Sequence, residues 1–385
     1  MNPLSRLMAL PFSEKQERGF IYTPAEIEQQ PTTWQKTWQL FGELRSELRR
    51  FLQAAYNERW TIFLVGAGTS DYIGRSLTGL LRQLWGTEVM AVASTDLLAG
   101  RDELVLKGRN YLWVSFSRSG DSPEGVAVLE HALAEYPTVK HLVVSCNSTG
   151  RMIELAQESG NAMAVELDDA VNDRSLAMTS SFTNMLIFGQ ALAHLWNTSD
   201  FESTLERMTV AAEYLLSKGA YLANDIAAQR NQLACFVGAG GLAGAAKESG
   251  LKLTELTAGR IVAITETTLG LRHGPMSALN SETVFTAYIS RSERQLRYDL
   301  DLVREIRAKN VVQTMTCVGA EEPAADHSLY CDAFAEIADG YRPAVDVIFG
   351  QMLGLFSSIE LGMKPDSPSP EGVISRVVPS FTIYP

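Results

Sequence analysis

The sequence lacks the devices that would place the chain outside the aqueous, reducing interior of a cell. Its four cysteines, Cys146, Cys235, Cys317 and Cys331, form no CxxC pair and no clustered framework, which argues against a disulfide scaffold and a structural zinc site. No apolar run approaches the roughly 18 residues needed to span a membrane. Only Leu7 to Phe12 resembles a signal-peptide core; it is short, interrupted by Pro11 and followed by charged residues, so no export is expected. Nor does any run of basic residues offset the formal charge of −12. Nucleic acid and anionic membrane surfaces, both bound largely through basic patches, are therefore not expected as partners. The expectation is a cytoplasmic chain, and an anionic metabolite remains open to it, because a few placed cations and backbone N–H groups suffice to hold a phosphate.

At 385 residues and 46% hydrophobic, the chain has material for two or three domains of roughly 150 residues each. The first 30 residues are polar and poorly periodic and read as an arm. After Pro31-Thr32-Thr33, apolar residues recur at Trp34, Trp38, Phe41, Leu44, Leu48, Phe51 and Ala55, which is helical spacing. From Thr61 short apolar strands alternate with helical stretches, the pattern of a parallel sheet covered by helices. The strands are expected at Thr61 to Val65, Glu88 to Val92, Tyr111 to Phe116, His141 to Ser145 and Ala162 to Glu166, with long helices at Thr183 to Trp196 and Phe201 to Leu216.

The pattern then repeats. FLVGAG at Phe63 to Gly68 returns as CFVGAG at Cys235 to Gly240, and Ser117-Arg118-Ser119 returns as Ser290-Arg291-Ser292. Two motifs at nearly one offset indicate a tandem duplication. The fold class expected is thus α/β, with two tandem domains that each hold a parallel sheet flanked by helices. Residues 1–57 form an N-terminal arm and helix, 58–215 the first domain, and 216–385 the second domain with a C-terminal tail.

The copies differ where chemistry is expected. A phosphate needs converging donors, preferably at a helix start where the dipole favours negative charge. SFSRSGDSPEG (Ser115 to Gly125) brings the hydroxyls of Ser117, Ser119 and Ser122, a tight turn at Gly120 and an N-cap pair, Ser122-Pro123. It follows a parallel strand, the place where α/β sheets bind ligands. In the second copy Glu293 and Arg294 replace Gly120 and Asp121. Arg118 either contacts the phosphate or points away. GAGTSD (Gly66 to Asp71) fails the dinucleotide fingerprint, since Asp71 stands at the third glycine. The hydroxyl cluster Thr179-Ser180-Ser181 reads either as ligand donors or as a helix cap. Lys252 and Glu255 share a helix face, as a surface ion pair or as a functional couple, and His273 is presented beside Arg272 before a Gly-Pro turn.

Six segments in order, GAGTS, SFSRSGDSPE, DRSLAMTSSFT, LKLTELTAG, LRHGP and ISRVVP, resemble the sugar-isomerase (SIS) family. From about residue 58 onward the chain resembles the isomerase half of glutamine–fructose-6-phosphate transaminase. Over essentially its whole length it is similar to the bacterial group called tagatose-6-phosphate ketose/aldose isomerase or galactosamine-6-phosphate deaminase. The resemblance implies phosphate binding by Ser117, Ser119 and Ser122, with Ser70 and Thr179 to Ser181 nearby. It implies Glu255 as the base that moves a proton between C1 and C2, Lys252 as a sugar contact, and His273 as an aid to ring opening that reaches into a neighbouring subunit's site. A homodimer or higher homo-oligomer follows from that sharing, and no metal or organic cofactor is called for. Two positions depart from the transaminase. Arg376 stands where its C-terminal lysine helps to open the ring, and Asn2 stands where it has a nucleophilic cysteine. The reaction implied is isomerising deamination of galactosamine 6-phosphate; the alternatives are an aldose–ketose isomerase on a neutral sugar phosphate and a phosphosugar sensor.

Overall fold

A computed structural model of the chain describes residues 1–197, 201–369 and 371–384. Its first sheet holds β1 (Thr61–Gly66), β2 (Val89–Ala93), β3 (Tyr111–Ser117), β4 (Lys140–Ser145) and β5 (Ala162–Glu166) in the order β2-β1-β3-β4-β5. The second holds β6 (Leu233–Gly238), β7 (Val262–Thr267), β8 (Thr283–Tyr288), β9 (Thr314–Val318) and β10 (His327–Leu329). Read from its β7 edge, its order is β7-β6-β8-β9-β10, the same winding as the first. Every strand pair is parallel. β1 and β6 begin at Thr61 and Leu233, β3 and β8 at Tyr111 and Thr283, an offset of 172 in each case.

The duplication extends to backbone geometry. Gly66 and Gly238 end the first strand of each sheet, and a Cβ on either would lie 2.5–2.6 Å from the backbone of the residue four further on, Ser70 or Leu242. Gly68 and Gly240 both take positive φ, +55° and +57°, a conformation in which only glycine is unstrained.

Two compact units divide the chain. One comprises Thr32–Asp173, Ser180–Ser199 and Ile374–Pro385 and contains the first sheet; the other comprises Met1–Pro31, Arg174–Thr179 and Asp200–Val373 and contains the second.

In the first-sheet unit, α1 (Gln30–Asn57) starts with Pro31 in its first turn, where a missing N–H costs nothing. It buries Trp34, Phe41, Leu48, Leu52 and Ala55. Polar pairs lock it to the later helix Ser180–Ala193: Trp34 Nε1 donates to Thr183 Oγ1 at 3.0 Å, and Thr37 Oγ1 donates to Asn184 Oδ1 at 2.7 Å. Between them in sequence come α2 (Thr69–Trp85) and α3 (Pro123–Glu135), each leaving the carboxyl end of a strand; Ser180–Ala193 is α4.

In the second-sheet unit, α5 (Leu242–Leu256) follows β6, α6 (Glu293–Lys309) follows β8, and α7 (Pro343–Glu360) is almost wholly buried. α5 and α7 cross closely through two glycines one turn apart. A Cβ on Gly350 would meet the Ser249 Cα at 2.9 Å, and one on Gly354 would meet the Lys252 carbonyl at 3.2 Å. The N-terminal arm is helical: it holds three short helices, Pro3–Ala9, Phe12–Arg18 and Thr23–Glu28, and this stretch buries Leu4, Phe20 and Ile27. One remote carboxylate holds this stretch: Asp366 accepts from the Ile21 and Thr23 N–H groups at 2.6 and 2.9 Å and from the Thr23 hydroxyl at 2.7 Å.

All four cysteines are free. No helix among the described residues is long and apolar enough to cross a membrane.

Candidate active site

In the first sheet the strand order reverses direction between β1 and β3, the switch point at which open parallel sheets leave a crevice for ligands. The turn after β3 lies there, with Ser117, Arg118 and Ser119 buried. The Gly120 N–H donates to Ser117 Oγ at 3.0 Å, and the Asp121 N–H donates to Ser119 Oγ at 3.1 Å. Each hydroxyl oxygen thus accepts from the backbone and keeps its own O–H to offer outward.

Gly120 has φ +67°, and a neighbouring turn braces it. Asn147 Nδ2 donates to the Ser119 carbonyl at 2.8 Å, the Arg151 N–H to Asp121 Oδ1 at 2.8 Å, and the Met152 N–H to the Gly120 carbonyl at 2.9 Å. Ser122 precedes α3, and its hydroxyl makes no cap bond. It leans over Gly125, where a Cβ would come within 2.8 Å of Ser122 Oγ. With Pro123 carrying no N–H, Glu124 and Gly125 supply the first amide donors of the helix, the partial positive charge an anion seeks. Ser70, buried in the first turn of α2, lies at the end of the other switch-point strand.

Beside this turn, Arg118 donates through Nη2 to the carbonyl of Arg376. Arg376 in turn gives Nε to the Asp173 carbonyl at 2.8 Å and Nη2 to Asn172 Oδ1 at 2.5 Å. The Asp173 carboxylate caps α4. Oδ1 accepts the Ser180 hydroxyl at 2.6 Å and its N–H at 3.2 Å, while Oδ2 accepts the Ser181 hydroxyl at 2.5 Å and its N–H at 2.9 Å. The Ser180 and Ser181 hydroxyl protons are thus directed at a protein carboxylate, the helix-cap arrangement. Thr179 falls in the second-sheet unit, where its carbonyl accepts from Gln351 Nε2 at 3.3 Å.

The second-sheet unit also carries Lys252, Glu255 and His273. Lys252 and Glu255 do not form a surface pair. The Lys252 side chain has no exposed surface, and its ammonium lies 3.3 Å from Glu248 Oε1 and in hydrogen-bond contact with Glu255 Oε2. Burial works against the ammonium, but the two carboxylates outweigh it and hold Lys252 above the usual lysine range. Glu248 is fully buried, while the Glu255 side chain remains 21% exposed. The cluster therefore presents one carboxylate, Glu255, backed by a fixed buried cation. His273 is exposed and closes a 3₁₀ turn before Gly274, whose φ is +127°. Its neighbour Arg272 pairs with Glu305 at 2.7 Å.

The structure thus groups Ser70, Ser117, Arg118, Ser119, Ser122, Ser180, Ser181 and Arg376 in one unit, and Thr179, Lys252, Glu255 and His273 in the other. Two residues of these clusters escaped the sequence reading. Glu248 had a signal, its place four residues before Lys252 on the same helix face. Asp173 opens DRSLAMTSSFT, one of the segments that carry the family resemblance, but nothing local marks it as an acceptor seven residues ahead of its partner.

The counterpart turn in the second sheet is already filled. Ser290 Oγ and the Arg291 N–H, the latter at 3.0 Å, both donate to the Asp339 carboxylate, and the Ser290 N–H donates to Asp299 Oδ2 at 2.9 Å. Two protein carboxylates thus engage Ser290 and the Arg291 N–H in this copy. Among the described residues no group of three or more His, Cys, Asp or Glu side chains is arranged to hold a metal ion.

Two sheets of identical winding, a serine-lined turn at the switch point of one and a buried Lys–Glu couple in the other, define a tandem sugar-isomerase (SIS) chain. The isomerase domain of glucosamine-fructose-6-phosphate aminotransferase from Francisella tularensis has the same fold, with a TM-score of 0.74 at 18% identity, over 90% of this chain and 98% of that one. The tagatose-6-phosphate ketose/aldose isomerase of Escherichia coli superimposes with a TM-score of 0.84 at 31% identity, over 94% of this chain and 96% of that one. The D-galactosamine-6-phosphate deaminase AgaS of Escherichia coli is 33% identical over 370 residues, 94% of this chain and 96% of its own. The chain belongs to the D-galactosamine-6-phosphate deaminase family. No family model matches it.

Proposed function

We propose that the protein catalyses the isomerising deamination of D-galactosamine 6-phosphate, which with water gives D-tagatose 6-phosphate and ammonia. The observation that carries the reading is the Lys252 ammonium, buried against Glu248 and Glu255, of which only Glu255 is open to solvent. The names borne by the relatives at 31–33% identity support the substrate.

Ser117, Ser119 and Ser122 hold the phosphate, and His273 assists opening of the sugar ring. The Glu255 carboxylate takes the C2 proton of the open aldose; the electron pair of that C–H bond forms the C1–C2 double bond of an enolamine while the C1=O π pair moves onto the oxygen, which takes up a proton. Return of the proton at C1, with loss of a proton from the amino nitrogen, leaves an imine at C2; water adds to C2, and the C2–N bond breaks to release ammonia as the ketone forms. A carbon-bound proton is a poor acid, so the base must be fixed against the substrate, and its pairing with Lys252 supplies that fixation. Binding through the unreactive phosphate offsets the cost of positioning. The contacts of Arg376 with Asn172 and Asp173 suit it to a positioning role. The exposure of His273 supports a dimer in which it serves the partner's site. The free cysteines and acidic composition suit a cytoplasmic enzyme.

The test is incubation of the purified protein with galactosamine 6-phosphate, glucosamine 6-phosphate and tagatose 6-phosphate, assaying ammonia together with ketose and aldose phosphates. Ammonia from the galacto substrate supports the proposal. Aldose–ketose exchange without ammonia makes the protein a plain isomerase, and binding without conversion makes it a sensor; either result overturns the proposal.

A further inference from the structure

β7 lies at one edge of the second sheet and pairs only with β6. Among the described strands it alone has no buried residue, and Val262 at its start is 57% exposed. Strands of parallel sheets are ordinarily covered on both faces, and open edges are ordinarily guarded. The equivalent edge of the first sheet is guarded from within: Val89 and Val92 of β2 are buried, and Arg82 Nη2 donates to the Val89 carbonyl at 2.8 Å. β7 has no such guard. Its sequence, VAITET, is rich in β-branched residues and holds no lysine or proline, so it is a strong strand former left open to pairing.

The backbone groups already in use define what fits this edge. The Val262 N–H donates to the Gln232 carbonyl on the β6 side at 3.0 Å, so by alternation Ile261, Ala263, Thr265 and Thr267 turn their backbone groups outward. The outer two N–H groups are satisfied within the chain, Ile261 by Thr257 Oγ1 at 3.4 Å and Thr267 by Glu266 Oε2 at 3.0 Å. The inner two, of Ala263 and Thr265, have no partner on that side among the described residues. This pattern is symmetric about Ile264. A two-fold axis there makes a second copy of β7 the antiparallel match, in which Ala263 of each copy exchanges both backbone bonds with Thr265 of the other. The ladder ends where the outer N–H groups are taken. Charge agrees with this direction. Arg260 before the strand and Glu266 near its end are the only charged residues from 258 to 268, so antiparallel pairing brings opposite signs together and parallel pairing like signs.

We propose that two copies of the chain pair their β7 edges antiparallel about Ile264, joining their second sheets into one. Chain direction gives the pairing a consequence for the site. β6 and β7 are parallel, so α5, which connects them, runs back from the carboxyl ends of the strands to their amino ends. Glu255, the penultimate residue of α5, therefore lies towards the amino end of β7, whereas His273 closes the turn beyond its carboxyl end. One chain holds the two at opposite ends of the strand; antiparallel pairing brings His273 to the end that carries the partner's Glu255. The shared site rests on the catalytic reading proposed above, whereas the pairing of the edges does not.

The test is sedimentation of the full chain as wild type, Val262→Glu and Val262→Glu/Glu266→Lys, with circular dichroism to confirm that each is folded. In the two-fold register Val262 faces the partner's Glu266, so Val262→Glu sets like charges opposite each other, and the double variant restores opposite signs across the pair. Wild type should sediment as a dimer or a multiple of one, Val262→Glu should dissociate about ten-fold or more readily, and the double variant should recover association. A monomeric wild type, a Val262→Glu chain that associates as wild type does, or a folded double variant as dissociated as the single one would overturn the pairing. None of these readings needs turnover, so they stand even if wild type releases no ammonia. Where it does, mixing Glu255→Gln with His273→Ala chains should give more ammonia release than either alone; no gain on mixing would overturn the shared site.

Discussion

Lys252 and Glu248 form an ion pair at 3.3 Å in which neither side chain has any surface exposed to solvent. Such a pair contributes little over a well-packed apolar one, but removing one partner leaves the other charge less compensated in a dry environment. Glu248→Ala should therefore destabilise the protein by about 3–5 kcal/mol. The double variant Glu248→Leu/Lys252→Met should recover much of that loss. Chemical denaturation of the two variants checks this; equal instability in both would mean that the pair is not the source.

A single carboxylate also holds the start of α4. Asp173 accepts two hydroxyls and two N–H groups from Ser180 and Ser181. Asp173→Ala removes a helix cap, worth about 1 kcal/mol, and strands buried donors at about 1–3 kcal/mol, so a loss of about 2–4 kcal/mol is expected on denaturation. Because Arg376 grips the same loop through the Asp173 carbonyl and Asn172, Arg376→Ala should raise the KM for a sugar phosphate more than it lowers kcat.

His141 sets a pH dependence with a definite sign. It lies on β4, fully buried beside Trp113 of β3, the two ring centroids 5.4 Å apart, and neither of its ring nitrogens has a hydrogen-bond partner. Burial pushes its pKa down from 6.5 to about 4. Below pH 6.5 the unfolded chain takes up a proton that the folded chain refuses, so stability is full above pH 6.5 and falls as the pH drops towards 4. The loss reaches ~3 kcal/mol at 1.36 kcal/mol per pH unit. Asp299, which burial pushes up to about 6, acts in the opposite direction over part of this range. The measurement is therefore the difference in unfolding free energy between wild type and His141→Phe at pH 7 and at pH 4.5, and it should shift towards the variant on acidification.

The five strands of the first sheet were legible to within a residue at either end, because each is a short run rich in apolar residues between helical stretches, whereas β7, β9 and β10 of the second sheet were not assigned. Ala162–Glu166 was expected and found with identical limits, and Tyr111–Ser117 differs by one residue. The repeat was legible too, since FLVGAG and CFVGAG encode the same clash of Gly66 or Gly238 with the following helix. What escaped depends on partners distant in sequence. The first 30 residues look aperiodic because Asp366 supplies their hydrogen bonds from far along the chain. Helix α4 was expected from Thr183 and begins at Ser180, because Asp173 caps it from outside the helical pattern. The burial of Lys252 was hidden for a related reason: spacing shows that Lys252 and Glu255 share a face, but not that Gly350 and Gly354 let α7 cover it.

The central claim is that Glu255 moves the proton that makes deamination possible. Its most direct test is ammonia release from galactosamine 6-phosphate by wild type and by Glu255→Gln, with substrate binding measured on both. A kcat lower by about 10²–10⁴, the usual worth of a general base, with affinity within a few-fold of wild type, is the result predicted. Ammonia release by Glu255→Gln at the wild-type rate would contradict it.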